Sequence, residues 1–177
     1  MQSTYVRQLR RLHKFDFCLD EELIAMLAVC DECKHAPGDV VFSEGDRGDA
    51  FYVILEGRYG VEKRLNGKTH EVAVLEPGAV VGEMGILDVE NPTRSADVVA
   101  REPGTMLRMC KTHLDEAVED GAPWAAKLMA HFAQVLAARL RELDEAYRKL
   151  LQETKGKVKG VGELEAFHTH LLEKWQL

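Results

Sequence analysis

The sequence has no long hydrophobic run and no secretion signal. No apolar stretch approaches the ~20 residues that a transmembrane helix needs, which argues against a helical membrane span. The first twelve residues are mostly polar and lack both the apolar segment and the small-residue cleavage site of a signal peptide. These two absences predict a cytoplasmic protein that does not insert into membranes.

Positive charge is also in short supply. The chain has 23 Lys and Arg against 30 Asp and Glu, a formal net charge of −7. Duplex binding requires Lys and Arg to neutralise phosphates, so nucleic acid is not expected as the main partner. Two local basic clusters interrupt the acidic background, and both are expected to be solvated surface. They are Arg7, Arg10, Arg11 and Lys14 near the start, and Lys155, Lys157 and Lys159 near the end.

Cysteine is rare and scattered. The four cysteines are Cys18, Cys30, Cys33 and Cys110. Cys30 and Cys33 form one Cys-x-x-Cys pair, but a structural zinc site needs a second pair or matching histidines. The pair falls in a segment expected to be helical, and free thiols in a reducing compartment are the favoured interpretation.

The residue sets of common enzymes are missing as well. A metal enzyme on a cupin-type β-roll would need two or three histidines and a glutamate on adjacent strands. Only His70 falls within the predicted sheet, with His35 at its edge, and His168 and His170 lie two apart on a predicted helix, where they point in different directions. No Ser-His-Asp order or nucleophile elbow occurs. No enzyme activity, catalytic residue, metal ligand or cofactor is therefore predicted.

Residues 1–34 are predicted to form two amphipathic helices. Residues 3–13 carry apolar side chains at helical spacing. A second helix is expected from an N-cap at Asp20 to about Cys33, because an acidic first turn follows the cap. Its inward face is expected to comprise Leu23, Ile24, Leu27 and Cys30.

Residues 35–111 have the sequence pattern of a β domain. Gly and Pro turn signals recur every ~8–12 residues between short apolar runs, which indicates an antiparallel sandwich or barrel. Asn66-Gly67 is the strongest hairpin signal, because both residues tolerate the positive φ of a type I′ turn. The predicted strands are Val40–Phe42, Ala50–Leu55, Tyr59–Leu65, Glu71–Leu75, Ala96–Ala100 and Thr105–Met109.

Helical periodicity returns in residues 112–153. A short helix is expected from Thr112, its cap, to Val118, and the Gly121–Pro123 segment then interrupts the chain. A long helix over residues 124–153 has no internal Gly or Pro, and its nearly heptad apolar spacing predicts a homodimer through its second half. The heptad positions are Phe132, Leu136, Leu140, Leu143, Tyr147 and Leu150.

Residues 154–177 are predicted to form a linker and a short tail helix. Their first part is rich in Gly and Lys, which is typical of a flexible linker. The tail helix is expected to dock on the β domain or on a partner, the alternative being a lid that places Trp175 over a ligand. Fewer than ~40 residues follow the long helix, so no helix-turn-helix reading head and no DNA binding are expected.

One segment, Gly82 to Val98, combines a glycine, a short apolar turn and a loop that ends in arginine. Gly82 lets backbone approach a ligand, because it has no Cβ. Glu83–Leu87 is long enough for one helical turn, whose free N–H groups suit an anion. Arg94 adds a planar fork of donors that matches phosphate oxygens. An anion site beside a carboxylate predicts a ligand that has a phosphate and a hydroxyl, such as a nucleotide.

The Gly82–Leu87 run, a Pro-containing loop and Arg94–Ala96 together resemble the phosphate-binding cassette of cyclic nucleotide-binding domains. That family includes the catabolite activator proteins and the regulatory subunits of cyclic-AMP-dependent kinase, and the resemblance extends from about Phe15 to about Leu143. The loop before Arg94 is a residue or two longer than the usual version, and Val81 stands where an aromatic residue is frequent.

The resemblance implies a mainly β fold with flanking helices. The centre would be an antiparallel jelly roll, or double-stranded β-helix, of two Greek keys. The N-terminal helices would precede it, and the long C-terminal helix would make the dimer and close on the base. A short tail helix would complete the chain.

The resemblance also assigns the site. Arg94 would pair with the cyclic phosphate and Glu83 would accept the ribose 2′-hydroxyl proton, while the two would lie close together and pair in the absence of ligand. The expected phosphate and ribose contacts are Gly82, Glu83, Met84, Gly85, Arg94, Ser95 and Ala96. The expected base contacts are Val61, Val72, Leu75, Arg139 and Leu143.

The implied function is a sensor of cAMP or cGMP, and the residues do not decide between adenine and guanine. The signal would pass to an unknown protein effector through rearrangement of the long helix. The alternatives are a roll that binds nothing and serves as a scaffold, a cyclic dinucleotide sensor, a cupin-type metal enzyme, or an iron–sulfur sensor of the Fnr type, whose cysteines would be grouped.

Overall fold

The computed structural model describes residues 2–65 and 67–154. It divides into two units, residues 1–130 and residues 131–177. The helices are α1 (Gln2–Arg11), α2 (Asp20–Leu27), α3 (Glu83–Leu87), α4 (Lys111–Glu119) and α5 (Pro123–Thr154). The strands are β1 (Asp31–His35), β2 (Val40–Phe42), β3 (Ala50–Glu56), β4 (Tyr59–Leu65), β5 (Lys68–Leu75), β6 (Val80–Val81), β7 (Asp97–Ala100) and β8 (Gly104–Cys110).

The strands of the first unit form two antiparallel sheets of four strands each. Their orders are β1-β8-β3-β6 and β2-β7-β4-β5, so each sheet joins strands that are distant in the sequence. Alternate residues of β3 contribute to one core cluster with residues of the other sheet, which is the period-2 pattern of packed sheets. That cluster consists of Ala50, Tyr52, Ile54, Tyr59, Val81, Val98, Ala100 and Met106. The predicted antiparallel double-sheet roll is confirmed.

The second predicted helix is wrong in its last part. Helix α2 ends at Leu27, and Asp31–His35 is instead strand β1. All five residues of β1 pair with β8, for example Cys33 with Met106, and this long-range ladder outweighs the helical tendency of the segment. The Cys-x-x-Cys pair is therefore not helical, and Cys33 lies on a strand.

The start of α2 also differs from the prediction. Leu19 is the N-cap, and its backbone N–H donates to Glu22 Oε2 at 2.7 Å. Asp20 is the first helical residue and not the cap. Leu23 and Leu27 are buried as predicted, whereas Ile24 is exposed and Cys30 only half-buried.

The predicted hairpin joins β4 to β5. Leu65 pairs with Lys68, and Gly67 has a φ of 75°, which glycine adopts readily. Asn66 lies outside the described residues, so the turn type stays a prediction. Further along the pair, Val61 opposes Ala73 and Glu62 opposes Glu71, which leaves Val72 in a bulge on the edge strand.

The helices after the roll agree closely with the expected ones. The predicted cap of α4 is wrong: Cys110, two residues before Thr112, is the N-cap, and the helix extends from Lys111 to Glu119. Pro123 is the first residue of α5, the position that proline favours. Among the described residues, no helix is both long enough and apolar enough to cross a membrane.

In the second unit, α5 continues from residue 131 to Thr154. Leu140 and Leu143 are exposed there, and Asp144 pairs with Arg148 one turn later at 3.0 Å. The homodimer through residues 124–153 stays a prediction. The linker and tail helix predicted for residues 154–177 lie outside the described residues from 155 onward.

The contact between His35 and the buried Tyr59 predicts how the stability of the protein depends on pH. His35 Nδ1 lies 3.2 Å from the hydroxyl of Tyr59, which is fully buried, and burial raises the pKa of Tyr59 to about 12. Burial lowers the pKa of His35 below its ordinary value of about 6.5, so the unfolded chain binds this proton more readily. The stabilisation that the neutral His35 contributes to the free energy of unfolding is therefore complete above about pH 7.5 and declines as the pH falls through about 6.5.

We expect urea unfolding at pH 7.5, 6.5 and 5.5 to show this decline, and His35→Gln to flatten it. Glu22 and Glu32 titrate at lower pH and do not obscure the effect of His35, because hydrogen bonds from Lys127 and Tyr5 lower the pKa values of these carboxyls. Their stabilisation is lost only as the pH falls through about 4.5 and below. An unchanged slope in His35→Gln would contradict the assignment.

Candidate functional site

The cassette begins with a left-handed glycine between β6 and α3. Gly82 is the N-cap of α3 with φ 85° and ψ 1°, a conformation that L side chains rarely adopt. A Cβ at this position would also lie 2.5 Å from Arg94 Nη1 and 3.2 Å from the Ala50 carbonyl oxygen. Glycine is therefore required here for both its φ and its size. The predicted approach of a ligand to Gly82 stays a prediction.

A second close approach joins α3 to the loop before β3. A Cβ on Gly48 would lie 2.6 Å from Gly85 Cα, and a Cβ on Gly85 would lie 3.0 Å from Gly48 Cα. The two glycines thus let main chain pack directly on main chain. Gly85 belongs to the predicted cassette, and the resemblance marks Gly48 as a turn glycine, but the contact between the two was not predicted.

The backbone of Arg94 is held by the same loop. The Gly45 N–H donates to the Arg94 carbonyl at 2.9 Å, and the Arg94 N–H donates to the Asp46 carbonyl at 2.8 Å. The buried Asp97 carboxylate accepts the Glu44 N–H at 2.6 Å and so fixes the start of the loop. These bonds determine where the Arg94 side chain leaves the main chain.

The Arg94 guanidinium is buried, with only 4% of the residue exposed. Its Nη1 donates to the carbonyls of Ala50 at 2.7 Å and Gly82 at 3.1 Å. Its Cζ lies 4.3 Å from the ring centroid of Phe42 and 5.8 Å from that of Tyr52, which are cation–π distances. Contacts with the protein itself therefore fix the position of the guanidinium.

The charge of Arg94 is only partly compensated. Its Nη2 lies 3.5 Å from Asp49 Oδ1, but the Asp49 side chain is 60% exposed, and Nε is buried without a hydrogen-bond partner. Burial lowers the pKa of Arg94, while Tyr52 and Asp49 oppose that shift. An arginine stays protonated in proteins, so the site holds a partly desolvated cation, which attracts anions.

The remaining cassette residues differ in exposure. Glu83 is 1% exposed, and Gly85 and Ala96 are also buried. Met84 and Ser95 are exposed, and the Ser95 hydroxyl donates to the Met84 sulfur at 3.9 Å. A buried carboxylate therefore begins the turn whose N-cap touches the Arg94 guanidinium. The pairing of Glu83 with Arg94 stays a prediction.

The residues expected to contact the base fall into three groups. Val61 and Leu75 are half-buried and pack on the core cluster together with Phe42. Val72 is exposed in the β5 bulge, away from that cluster. Arg139 and Leu143 belong to the second unit. The base contacts of all five residues remain predictions.

Four residues of the site were not predicted. Phe42 and Tyr52 supply rings, Ala50 supplies a carbonyl, and Asp49 supplies the opposing charge. The turn Asp46–Asp49 ahead of the apolar β3 was a usable signal, because polar groups at a strand entrance often line a site. No group of three or more potential metal ligands occurs among the residues that the structure describes.

The roll, the left-handed glycine and the buried arginine define a class of ligand-binding domain. The chain belongs to the cyclic nucleotide-binding domain family, whose profile matches residues 32–120. This result confirms the resemblance drawn from the cassette.

Two curated relatives show the breadth of the family. The cGMP-dependent protein kinase egl-4 of Caenorhabditis elegans is 35% identical over 89 residues, 49% of this chain and 11% of the kinase. The cyclic AMP receptor protein of Thermus thermophilus is 32% identical over 126 residues, 70% of this chain and 55% of that protein. The chain therefore spans little more than half of one relative and about a tenth of the other.

Solved structures agree on the fold. The catabolite activator protein of Thermus thermophilus superimposes with a TM-score of 0.67 at 30% identity, over 77% of this chain and 62% of that one. A cyclic nucleotide-binding domain from Methylobacillus flagellatus superimposes with a TM-score of 0.73 at 24% identity, over 88% of this chain and 87% of that one. At that identity the second match supports the fold alone.

Proposed function

We propose that this protein is a sensor that binds a cyclic mononucleotide, cAMP or cGMP. The observation that carries the proposal is the buried Arg94 guanidinium, held by two backbone carbonyls beside a turn that starts with the buried Glu83. One relative is named a cyclic AMP receptor protein and another a cGMP-dependent kinase, which supports the ligand class and leaves the base open.

Arg94 is the proposed partner of the cyclic phosphate. Its Nη1 is committed to two backbone carbonyls, which leaves Nη2 and the unpartnered Nε as donors. The phosphate would take over the place of Asp49, whose contact at 3.5 Å is long and whose side chain is mostly in water. Charge-assisted bonds in a partly desolvated site are stronger than the long contact with the exposed Asp49 carboxylate that they replace.

Glu83 is the proposed acceptor of the ribose 2′-hydroxyl proton. Backbone N–H groups of Met84 and Gly85, the Ser95 hydroxyl and the close approach of Gly82 and Ala96 complete the phosphate and ribose shell. Val61 and Leu75, with Val72, Arg139 and Leu143, are the proposed surroundings of the base.

The proposed output is a population shift of the long C-terminal helix. A ligand that contacts both the cassette and that helix favours the conformation in which both contacts form, and by no more than its differential affinity. We propose a regulatory, non-catalytic role in the cytoplasm, as a homodimer through residues 124–153 that acts on a protein effector.

Calorimetric titration with cAMP, cGMP and a cyclic dinucleotide tests the proposal. At about 100 times its dissociation constant, the bound mononucleotide should add about 2.7 kcal/mol of stability. For a chain of this size that raises Tm by roughly 5–10 °C in a thermal melt. A response to the dinucleotide alone would reassign the ligand, and no response to any of the three would leave a non-binding roll.

A further inference from the structure

Met84 is more exposed than the other methionines whose side chains the structure describes. Met26, Met106 and Met109 are at most 1% exposed and Met129 is half-buried, whereas 46% of Met84 is exposed. Oxidants dissolved in water reach a thioether only where its sulfur is accessible. Met84 is therefore the methionine in this set that peroxide should attack first.

The Met84 side chain also touches a second cassette residue. The Ser95 hydroxyl donates to Met84 Sδ at 3.9 Å, which links the first turn of α3 to the residue that follows Arg94. A thioether sulfur is a weak acceptor. The hydroxyl is therefore easily released from the reduced side chain to a stronger acceptor, such as a phosphate oxygen.

We propose that Met84 is a reversible oxidation site through which peroxide weakens binding of the cyclic nucleotide. This inference rests on the proposed function. The sulfur lone pair attacks one oxygen of hydrogen peroxide and the O–O bond breaks. The attacked oxygen gives up its proton, and the other oxygen takes up a proton and leaves as water. The sulfur loses two electrons to form the S–O bond of methionine sulfoxide, and the peroxide gains them.

The added oxygen changes which acceptor holds Ser95. A sulfoxide oxygen is polar, in contrast to the thioether, and because Sδ is 3.9 Å from the Ser95 hydroxyl it should accept a hydrogen bond from that group. It should retain that hydroxyl and place partial negative charge beside the position proposed for the phosphate. The loss of one hydrogen bond to a charged group and the added repulsion should weaken binding by about tenfold or more. Methionine sulfoxide reductases remove the oxygen and should restore binding.

The experiment treats the full chain with hydrogen peroxide and follows two readouts. Peptide mass spectrometry measures the rate of oxidation at each methionine, and Met84 should be oxidised well before Met26, Met106 and Met109. Calorimetry with cAMP and cGMP measures the dissociation constant before treatment, after treatment and after incubation with a dithiol and two sulfoxide reductases, one for each sulfoxide epimer. The constant should rise about tenfold and then return.

Met84→Leu is the matched control, because leucine has a similar volume and cannot be oxidised. Because the Met84 sulfur is gone, the dissociation constant of this variant should not respond to peroxide. The variant keeps all four cysteines, so it also shows whether thiol oxidation affects binding. A loss of affinity that persists in Met84→Leu would assign the effect to another oxidisable side chain, such as a cysteine or Met129, and overturn the inference. Oxidation of the buried methionines at the rate of Met84 would overturn it as well.

The two proposals fail in different ways. If the untreated chain binds neither nucleotide, the proposed function is refuted and the effect on affinity with it, whatever the mass spectra show. If the untreated chain binds and the Met84 sulfoxide binds equally well, the proposed function stands and the oxidation site is refuted as a control of binding.

Discussion

Arg94→Ala is expected to weaken binding of the cyclic nucleotide by about 100-fold. The variant removes the donors that face the proposed phosphate position, and a hydrogen bond to a charged group contributes about 1.5–3 kcal/mol. It also leaves the Ala50 and Gly82 carbonyls without their shared donor, so the protein itself should lose stability. Calorimetry at a temperature well below the new Tm separates the two effects.

Arg94→Lys and Arg58→Ala make the result specific. Lysine keeps the positive charge but loses the planar fork, so it should recover only part of the affinity. Arg58 is an exposed arginine of the same roll, paired with Glu102 at 2.6 Å, and its loss should leave the dissociation constant unchanged. Equal affinities of the wild type and Arg94→Ala would refute the phosphate assignment.

Gly48→Ala is expected to damage both stability and binding. The new Cβ would lie 2.6 Å from Gly85 Cα, and because that atom is backbone, α3 or the loop must shift. Overpacking of this kind typically costs about 1–3 kcal/mol, or roughly 2–12 °C in Tm. The shift also moves the N–H groups of α3 away from their proposed ligand, so the dissociation constant should rise in parallel.

Gly38→Ala provides the comparison. Gly38 has a φ of 92° in the turn before β2, and a Cβ there would meet nothing within 4 Å. The variant should therefore lose about 1–2 kcal/mol of stability, the cost of the left-handed conformation for alanine, and keep its affinity for the nucleotide. A Gly48→Ala protein that binds as tightly as Gly38→Ala would show that the contact between Gly48 and Gly85 does not shape the site.

The roll could be predicted from the sequence because its signals are local. Turn glycines and alternating apolar residues mark each strand, and the predicted β3 and β4 agree with the structure to within one residue. Strand β1 could not be predicted in the same way. The segment Asp31–His35 is polar, and it is a strand because β8, more than seventy residues later, offers a complete ladder of partners.

The cassette shows the same division between local and distant information. Gly82, Glu83 and Arg94 could be identified because all three lie within one short segment whose residue types form a recognisable pattern. The surroundings of Arg94 could not, because Phe42, Asp49 and Ala50 lie more than forty residues earlier. Their roles depend on which loop the roll places against α3. A local pattern does not contain that information.

The long reach of the Arg94 contacts has a consequence for folding. The guanidinium bonds to a carbonyl 44 residues earlier in the chain, so the contacts around Arg94 form only after a large loop has closed and the early strands are in place. Contacts of such sequence separation form slowly and cooperatively. Nucleotide binding should therefore appear in the last kinetic phase of refolding and report on completion of the whole roll.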